Sequence, residues 1–294
     1  MGSRSKSLSA GLILLMFGCI SMVRAVEIIP YPSGTSYYNT NNTISNSWSA
    51  WSSGWGTRDT NTGWDYVGQV GNSSQGSGVY LGNGWVITAG HVGASDFTLG
   101  TNTYLTTGFS YADFTYNYLG TTEYADLNLF RISSVSTTGN SLLPTNNLSL
   151  VPAYNSAGNS LVMIGYGDAS VGRQKSWGIN TVTANNLLVP LGGTPYTSVD
   201  FQTAYGPGAY GITNSAVLVT GDSGGGGFAF DGSRWYLVGL NEAVSGNNSY
   251  FVNLGYYSSQ ITAVMASVPE PGTWVLIGIG LPLTWVFAKR SRKA

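Results

Sequence analysis

Between Ser77 and Leu254 the chain falls into short apolar or alternating runs, each interrupted within a few residues by glycine, asparagine or another turn former. That chopping is its strongest constraint. "SGVYL" and "WVITA" flank "GNG", and Asn83-Gly84 is the dipeptide of a tight hairpin, because both central residues of such a turn take positive φ. The runs "LNLFRI", "LVMIGYG", "NTVTANNLLV", "AVLVT", "FAF", "WYLVGLN" and "YFVNL" follow. Segments this short, rich in β-branched and aromatic residues, bury their apolar faces by pairing edge to edge, which predicts an all-β barrel or sandwich. Composition agrees: charged residues make up 9% of the chain, against roughly 25% in an average soluble protein. The period changes once, near the end, where Tyr257, Ile261, Val264, Met265 and Val268 fall on one helical face and predict a short C-terminal helix.

The two ends read as addresses. Arg4 and Lys6 precede an apolar stretch from Leu8 to Met22 and a small-residue exit at Ala25, the pattern of a signal peptide over residues 1–25 with cleavage after Ala25. Cys19 is the sole cysteine and leaves with that segment, so no disulfide is expected in the mature chain. At the other end, residues 268–294 carry Pro269-Glu270-Pro271, an apolar run from Thr273 to Ala288, and the basic cluster Lys289, Arg290, Arg292 and Lys293. Such a run is about 24 Å long as a helix, a short transmembrane segment whose basic end stays cytoplasmic. This order resembles the PEP-CTERM sorting signal of Gram-negative bacteria. The resemblance implies an exosortase-type processing enzyme as partner and transient residence in the inner membrane. It also implies export to the cell envelope, outer surface or extracellular matrix.

Between Val26 and Ser267 five basic residues face twelve acidic ones, a net charge of −7, which excludes nucleic acid as a partner for want of a basic patch. Residues 26–64, rich in Ser and Asn, read as an irregular lead-in whose Trp48, Trp51 and Trp55 are expected to pack onto the domain that follows. That domain spans 65–267.

Three residues in this domain have a joint chemical meaning. His91, the single histidine, stands in "WVITAGH", where a strongly apolar strand ends. Asp126 precedes the apolar strand "LNLFRI", and Ser223 lies in "GDSGG". A serine hydroxyl is a poor nucleophile until a base takes its proton. Histidine titrates near neutrality, and a carboxylate fixes its tautomer and stabilises the imidazolium. Glycines beside the serine let backbone N–H groups approach a substrate carbonyl. Order separates two architectures: the G-x-S-x-G elbow of α/β-hydrolases needs a histidine after the serine, and none follows Ser223. Asp113, in "YADF", repeats the context of Asp126 but is not followed by the apolar strand, so Asp126 is preferred.

In this order "WVITAGH", "ADLNLFRI" and "GDSGG" resemble the three signatures of the chymotrypsin-like (trypsin-like) serine proteases, the first usually written T-A-A-H. The resemblance covers roughly Asp65 to Met265. It implies two packed six-stranded β-barrels, with His91 and Asp126 from the first and Ser223 from the second. It implies that Ser223 is the nucleophile, His91 the general base and then acid, and Asp126 the orienting carboxylate. It implies too that the amides of Gly221 and Ser223 form the oxyanion hole and that Val217 takes the floor of the substrate pocket. The reaction is peptide-bond hydrolysis through an acyl-enzyme, on protein or peptide substrates, with no metal or organic cofactor. Three departures stand out. No cleavable basic residue followed by an apolar start occurs near Asp65, so Asp222 is expected to have a partner other than a new N-terminal amine. The proline that follows GDSGG in the family is replaced by Gly226 and Gly227, and no disulfides brace the pocket. The alternatives are a catalytically silent protease-like binding module and a structural protein of the extracellular matrix.

Overall fold

The computed structural model describes residues 26–28, 63–71, 76–141, 149–150, 158–167, 174–205, 215–230 and 235–267. The signal peptide, Trp48, Trp51, Trp55 and the sorting tail expected from the sequence lie outside them. In chain order the strands are β1 (Glu27–Ile28), β2 (Val67–Val70), β3 (Gly76–Gly82), β4 (Trp85–Thr88), β5 (Phe97–Leu99) and β6 (Asn102–Tyr104). Then come β7 (Thr106–Tyr111), β8 (Thr115–Tyr118), β9 (Thr121–Tyr124), β10 (Asn128–Ile132), β11 (Ser149–Leu150) and β12 (Ser160–Gly165). The last are β13 (Ser176–Pro190), β14 (Thr197–Ala204), β15 (Ala216–Val217), β16 (Gly226–Phe230), β17 (Trp235–Ser245) and β18 (Asn248–Asn253), followed by helix α1 (Leu254–Ser267). The all-β class and the single C-terminal helix match the sequence reading.

Two sheets curl into barrels. The first has the order β6-β5-β2-β3-β4-β10-β7. Its terminal members β6 and β7 are one run of chain interrupted at Leu105, where Ser133 N donates to the Leu105 carbonyl at 2.8 Å. Taken as one strand they make the ring six-membered, as expected. The second sheet, β11-β17-β16-β12-β13-β14-β18, closes through an additional β17–β18 pairing. Its ring is again six strands, with β11 added in parallel outside it. The β3–β4 hairpin turns at Asn83 (φ 50°) and Gly84 (φ 80°), the conformation its sequence demands.

Each barrel is filled from its own strands. Val79, Val86, Ile87, Phe97, Leu129 and Phe130 have no exposed surface in the first. In the second, Leu161, Met163, Val182, Phe201 and Phe251 form one cluster in which the Phe201 and Phe251 rings stack at 5.0 Å. Val26 belongs to that cluster, and β1 behind it pairs with β15, Glu27 opposite Val217. The start of the expected irregular lead-in is therefore built into the second barrel.

The barrels are tied across their junction by polar contacts. Lys175 Nζ donates to the carbonyls of Trp64 (2.7 Å) and Val67 (3.1 Å) and lies 4.6 Å from the centre of the Trp64 ring. Burial lowers its pKa to about 8, against the charge of Asp65. Backbone contacts divide the chain into a unit ending at Ser258 and another beginning at Ser259. Within the first, Tyr257 Oη accepts the Val199 N–H at 3.0 Å. The described part of the second is the remainder of α1, where Ser267 Oγ donates to the Val264 carbonyl at 2.8 Å. Among the described residues no helix is long and apolar enough to cross a membrane.

Candidate active site

β4 and β10 are antiparallel neighbours, with Thr88 opposite Asn128. That register brings the chain leaving β4 and the chain entering β10 to the same edge of the first barrel. His91 is on the former and Asp126 on the latter, so residues 35 positions apart in sequence meet. Asp126 holds His91 twice: Oδ1 accepts the His91 backbone N–H at 2.8 Å, and Oδ2 lies 2.6 Å from the ring Nδ1. The imidazole is 28% exposed, whereas Asp126 has no exposed surface. Burial opposes a charge on the ring, but the hydrogen bond and charge of Asp126 leave the His91 pKa above its ordinary value. Asp113 makes no contact with His91; its carbonyl accepts from the Tyr111 hydroxyl.

The glycine of "TAGH" has a local cause. A Cβ on Gly90 would lie 2.8 Å from the Tyr196 ring and 3.0 Å from Asp126 Oδ1. A bulky tyrosine from the second barrel thus occupies the space that an alanine would need.

Ser223 sits in the turn before β16, held from both barrels. Ser77 N, in β3, donates to the Ser223 carbonyl at 2.8 Å, and Ser77 Oγ donates to the Gly221 carbonyl at 3.2 Å. From the second barrel Gly224 N donates to the Asn241 carbonyl and Asn241 N to the Gly225 carbonyl, both at 2.8 Å. Gly224 has φ +82°, and a Cβ there would run into Ser77 O and Thr88 Oγ1, so glycine is required by conformation and by space. The amides of Gly221 and Ser223 donate to no described residue, which leaves two N–H groups free beside the hydroxyl. Ser223 Oγ donates weakly to the Glu242 carbonyl at 3.4 Å. It shares a cleft of about 260 Å3 with His91, and nucleophile–base hydrogen bonds commonly tighten only when substrate arrives.

Leu191, Leu218, Val219, Ala243 and Val244 give the rest of the cleft an apolar wall, with the buried acids Asp222 and Glu242 also in its lining. Val217, expected at its floor, is 7% exposed and paired with Glu27 in the β1–β15 ladder. Leu218 and Val219 stand on the wall, and Val217 is not among the residues that line the cleft.

Asp222 lies beneath the turn with no exposed surface. Its Oδ2 accepts the Val219 N–H at 2.9 Å, its Oδ1 the Gly167 N–H at 3.1 Å, and it also accepts the backbone N–H of Val26. Burial still prevails over these three donors and raises its pKa to about 7. The partners of Asp222 are thus backbone amides, one of them that of Val26, far from it in sequence.

Four contributors escaped the sequence reading. Ser77, Ser198 and Val26 carry no signal in their surroundings. Glu242 did carry one, a carboxylate inside the apolar run "WYLVGLNEAV", since such residues are almost never buried without a purpose.

A family model described as Trypsin matches residues 53–261. No curated protein sequence matches the chain. Among solved structures, an inactive mutant form of Rv3671c from M. tuberculosis is similar at 17% identity and a TM-score of 0.48, covering 70% of this chain and 90% of that one. The active form of the Rv3671c protease gives 16% identity and a TM-score of 0.47, with 67% and 78% covered. A chimeric murine norovirus NS6 protease gives 14% and 0.41, with 65% and 94% covered.

If Asp126 is what raises the imidazole's affinity for its proton, Asp126→Asn lowers the His91 pKa by about one unit or more. Proton NMR reads this without assignment work, because the chain has one histidine. An unchanged titration would remove Asp126 from that role.

Proposed function

The chain belongs to the trypsin family, and from that we propose that it is a serine endopeptidase working through Ser223, His91 and Asp126. The observation that carries this reading is the double grip of a buried Asp126 on His91, at the edge of a cleft that also holds Ser223 and two unpartnered amides. His91 takes the Ser223 proton as the oxygen attacks the scissile carbonyl, and Asp126 stabilises the imidazolium that forms. The amides of Gly221 and Ser223 receive the developing oxyanion. His91 then returns the proton to the leaving amine, and water, activated by the same imidazole, releases the acyl group from Ser223. The apolar wall of Leu218, Val219, Ala243 and Val244 suits small or apolar side chains.

In the same reading residues 1–25 direct export and are removed after Ala25, 26–64 lead into a protease domain at 65–267, and 268–294 form a PEP-CTERM signal. An exosortase-type enzyme processes that signal at the inner membrane of a Gram-negative cell, leaving the protease in the envelope, on the surface or in the matrix. Cleavage after Ala25 gives a free amine to Val26, whose N–H already points at Asp222. An ammonium at that position compensates a carboxylate that otherwise has only neutral donors, and so steadies the turn that carries Ser223.

The purified protein is expected to hydrolyse casein, with Ser223→Ala and His91→Ala each reducing kcat/KM by at least about a thousandfold. A folded parent with no more activity than its variants favours the silent binding module. Intact mass of the exported protein should place its start at Val26 and its end near Pro269 to Pro271. A mature chain that keeps residues ahead of Val26 yet is fully active would contradict the role given to its amine.

A further inference from the structure

A chain of buried polar groups continues behind Asp126. The Asp126 N–H donates to Ser198 Oγ at 2.9 Å, and Ser198 Oγ donates to Glu242 Oε1 at 2.7 Å. Ser198 and Asp200 are two apart on β14 and so face the same side of the strand. Glu242 reaches them because it is the extra residue of a bulge: the β17–β18 register shifts between Asn241 and Ala243, and a bulge re-aims the side chain it inserts. Glu242 is 3% exposed and Asp200 fully buried. The two carboxyls interact, yet as carboxylates they have no hydrogen bond between them.

Two ionised carboxylates cannot make that bond, because each only accepts. As anions, Glu242 Oε2 and both oxygens of Asp200 would have no donor, each a costly vacancy in a buried site. Among the described residues no lysine or arginine faces them: the facing groups are Asp126 ahead of β10, Tyr257 on α1 and, across Asp126, His91. One proton on Glu242 Oε2 resolves the conflict. It supplies the missing donor to Asp200 and leaves Oε1 free to accept from Ser198.

We propose that Glu242 is held as a neutral carboxylic acid that donates to Asp200 and, through Ser198, positions Asp126 behind His91. The proposal rests on the serine-protease reading only for its effect on turnover. Burial raises the proton affinity of both acids, and the neighbouring charges of Asp200 and Asp126 raise that of Glu242 further. The neutral acid also spares His91 a second negative charge. Were Glu242 ionised, it would hold the imidazole protonated to higher pH and weaken it as a base.

The test compares the purified protein with Glu242→Gln and Glu242→Ala. At pH 7 the infrared spectrum of the parent is expected to contain a carboxylic-acid carbonyl band that Glu242→Gln removes. The His91 titration, followed by NMR, is expected to move by less than about half a unit in Glu242→Gln, because a neutral group has replaced a neutral group. Glu242→Ala is expected to lose about tenfold or more in kcat with KM nearly unchanged, and Gln, which keeps an acceptor for Ser198 and a donor for Asp200, restores most of it. Ser198→Ala breaks the same link from its other end and replaces Glu242→Ala should that variant not fold. Absence of the band, a fall of a full unit in the His91 pKa with Gln, or equal losses with Ala and Gln would each overturn the proposal. An inactive parent would refute the proposed activity, and the infrared and NMR results would still decide the state of Glu242.

Discussion

Asp126 has no contact with solvent, so everything it does depends on the groups arranged around its carboxylate. Two donors of His91 occupy it from one side, and its own amide is tied to Ser198 on the other. The first barrel is shaped to make this possible: neighbouring strands β4 and β10 end and begin at one edge, and Gly90 leaves the Tyr196 ring room beside the carboxylate. A base whose orientation is fixed before substrate arrives loses little entropy at the moment of reaction, which is the advantage of anchoring the segments that carry it to paired strands.

Ser223 is positioned by an independent set of contacts, from Ser77 in one barrel and Asn241 in the other. The turn is rich in glycine because backbone from both barrels converges on it, as the crowding at Gly224 shows. Beneath it Asp222 gathers the amides of Val219, Gly167 and Val26. Val26, far from Ser223 in sequence, therefore bears directly on the turn that carries the nucleophile.

The architecture was legible in the sequence where local rules govern. Asn83-Gly84 announced its hairpin, the apolar runs their strands, and the period-3.6 residues their helix. His91 and Ser223 were legible because their motifs describe backbone shape as much as chemistry. Long-range pairings left no such trace. Val217 was assigned to the pocket floor by counting back from Ser223, a count that cannot register its pairing with Glu27. Val26 falls in what the sequence offers only as an irregular lead-in, because the two-residue strand that follows it is too short to show a period. The second acid of the buried pair, Asp200, lies in "TSVDFQTA", where alternation reads as an ordinary half-exposed strand, and only the bulge at Glu242 reveals what faces it.

The central claim is that one serine is activated, and an active-site-directed fluorophosphonate tests it most directly. The predicted result is a single covalent adduct, mapped by mass spectrometry to Ser223 and lost in His91→Ala. A folded protein that takes no label, or that carries it on another residue, would contradict the account.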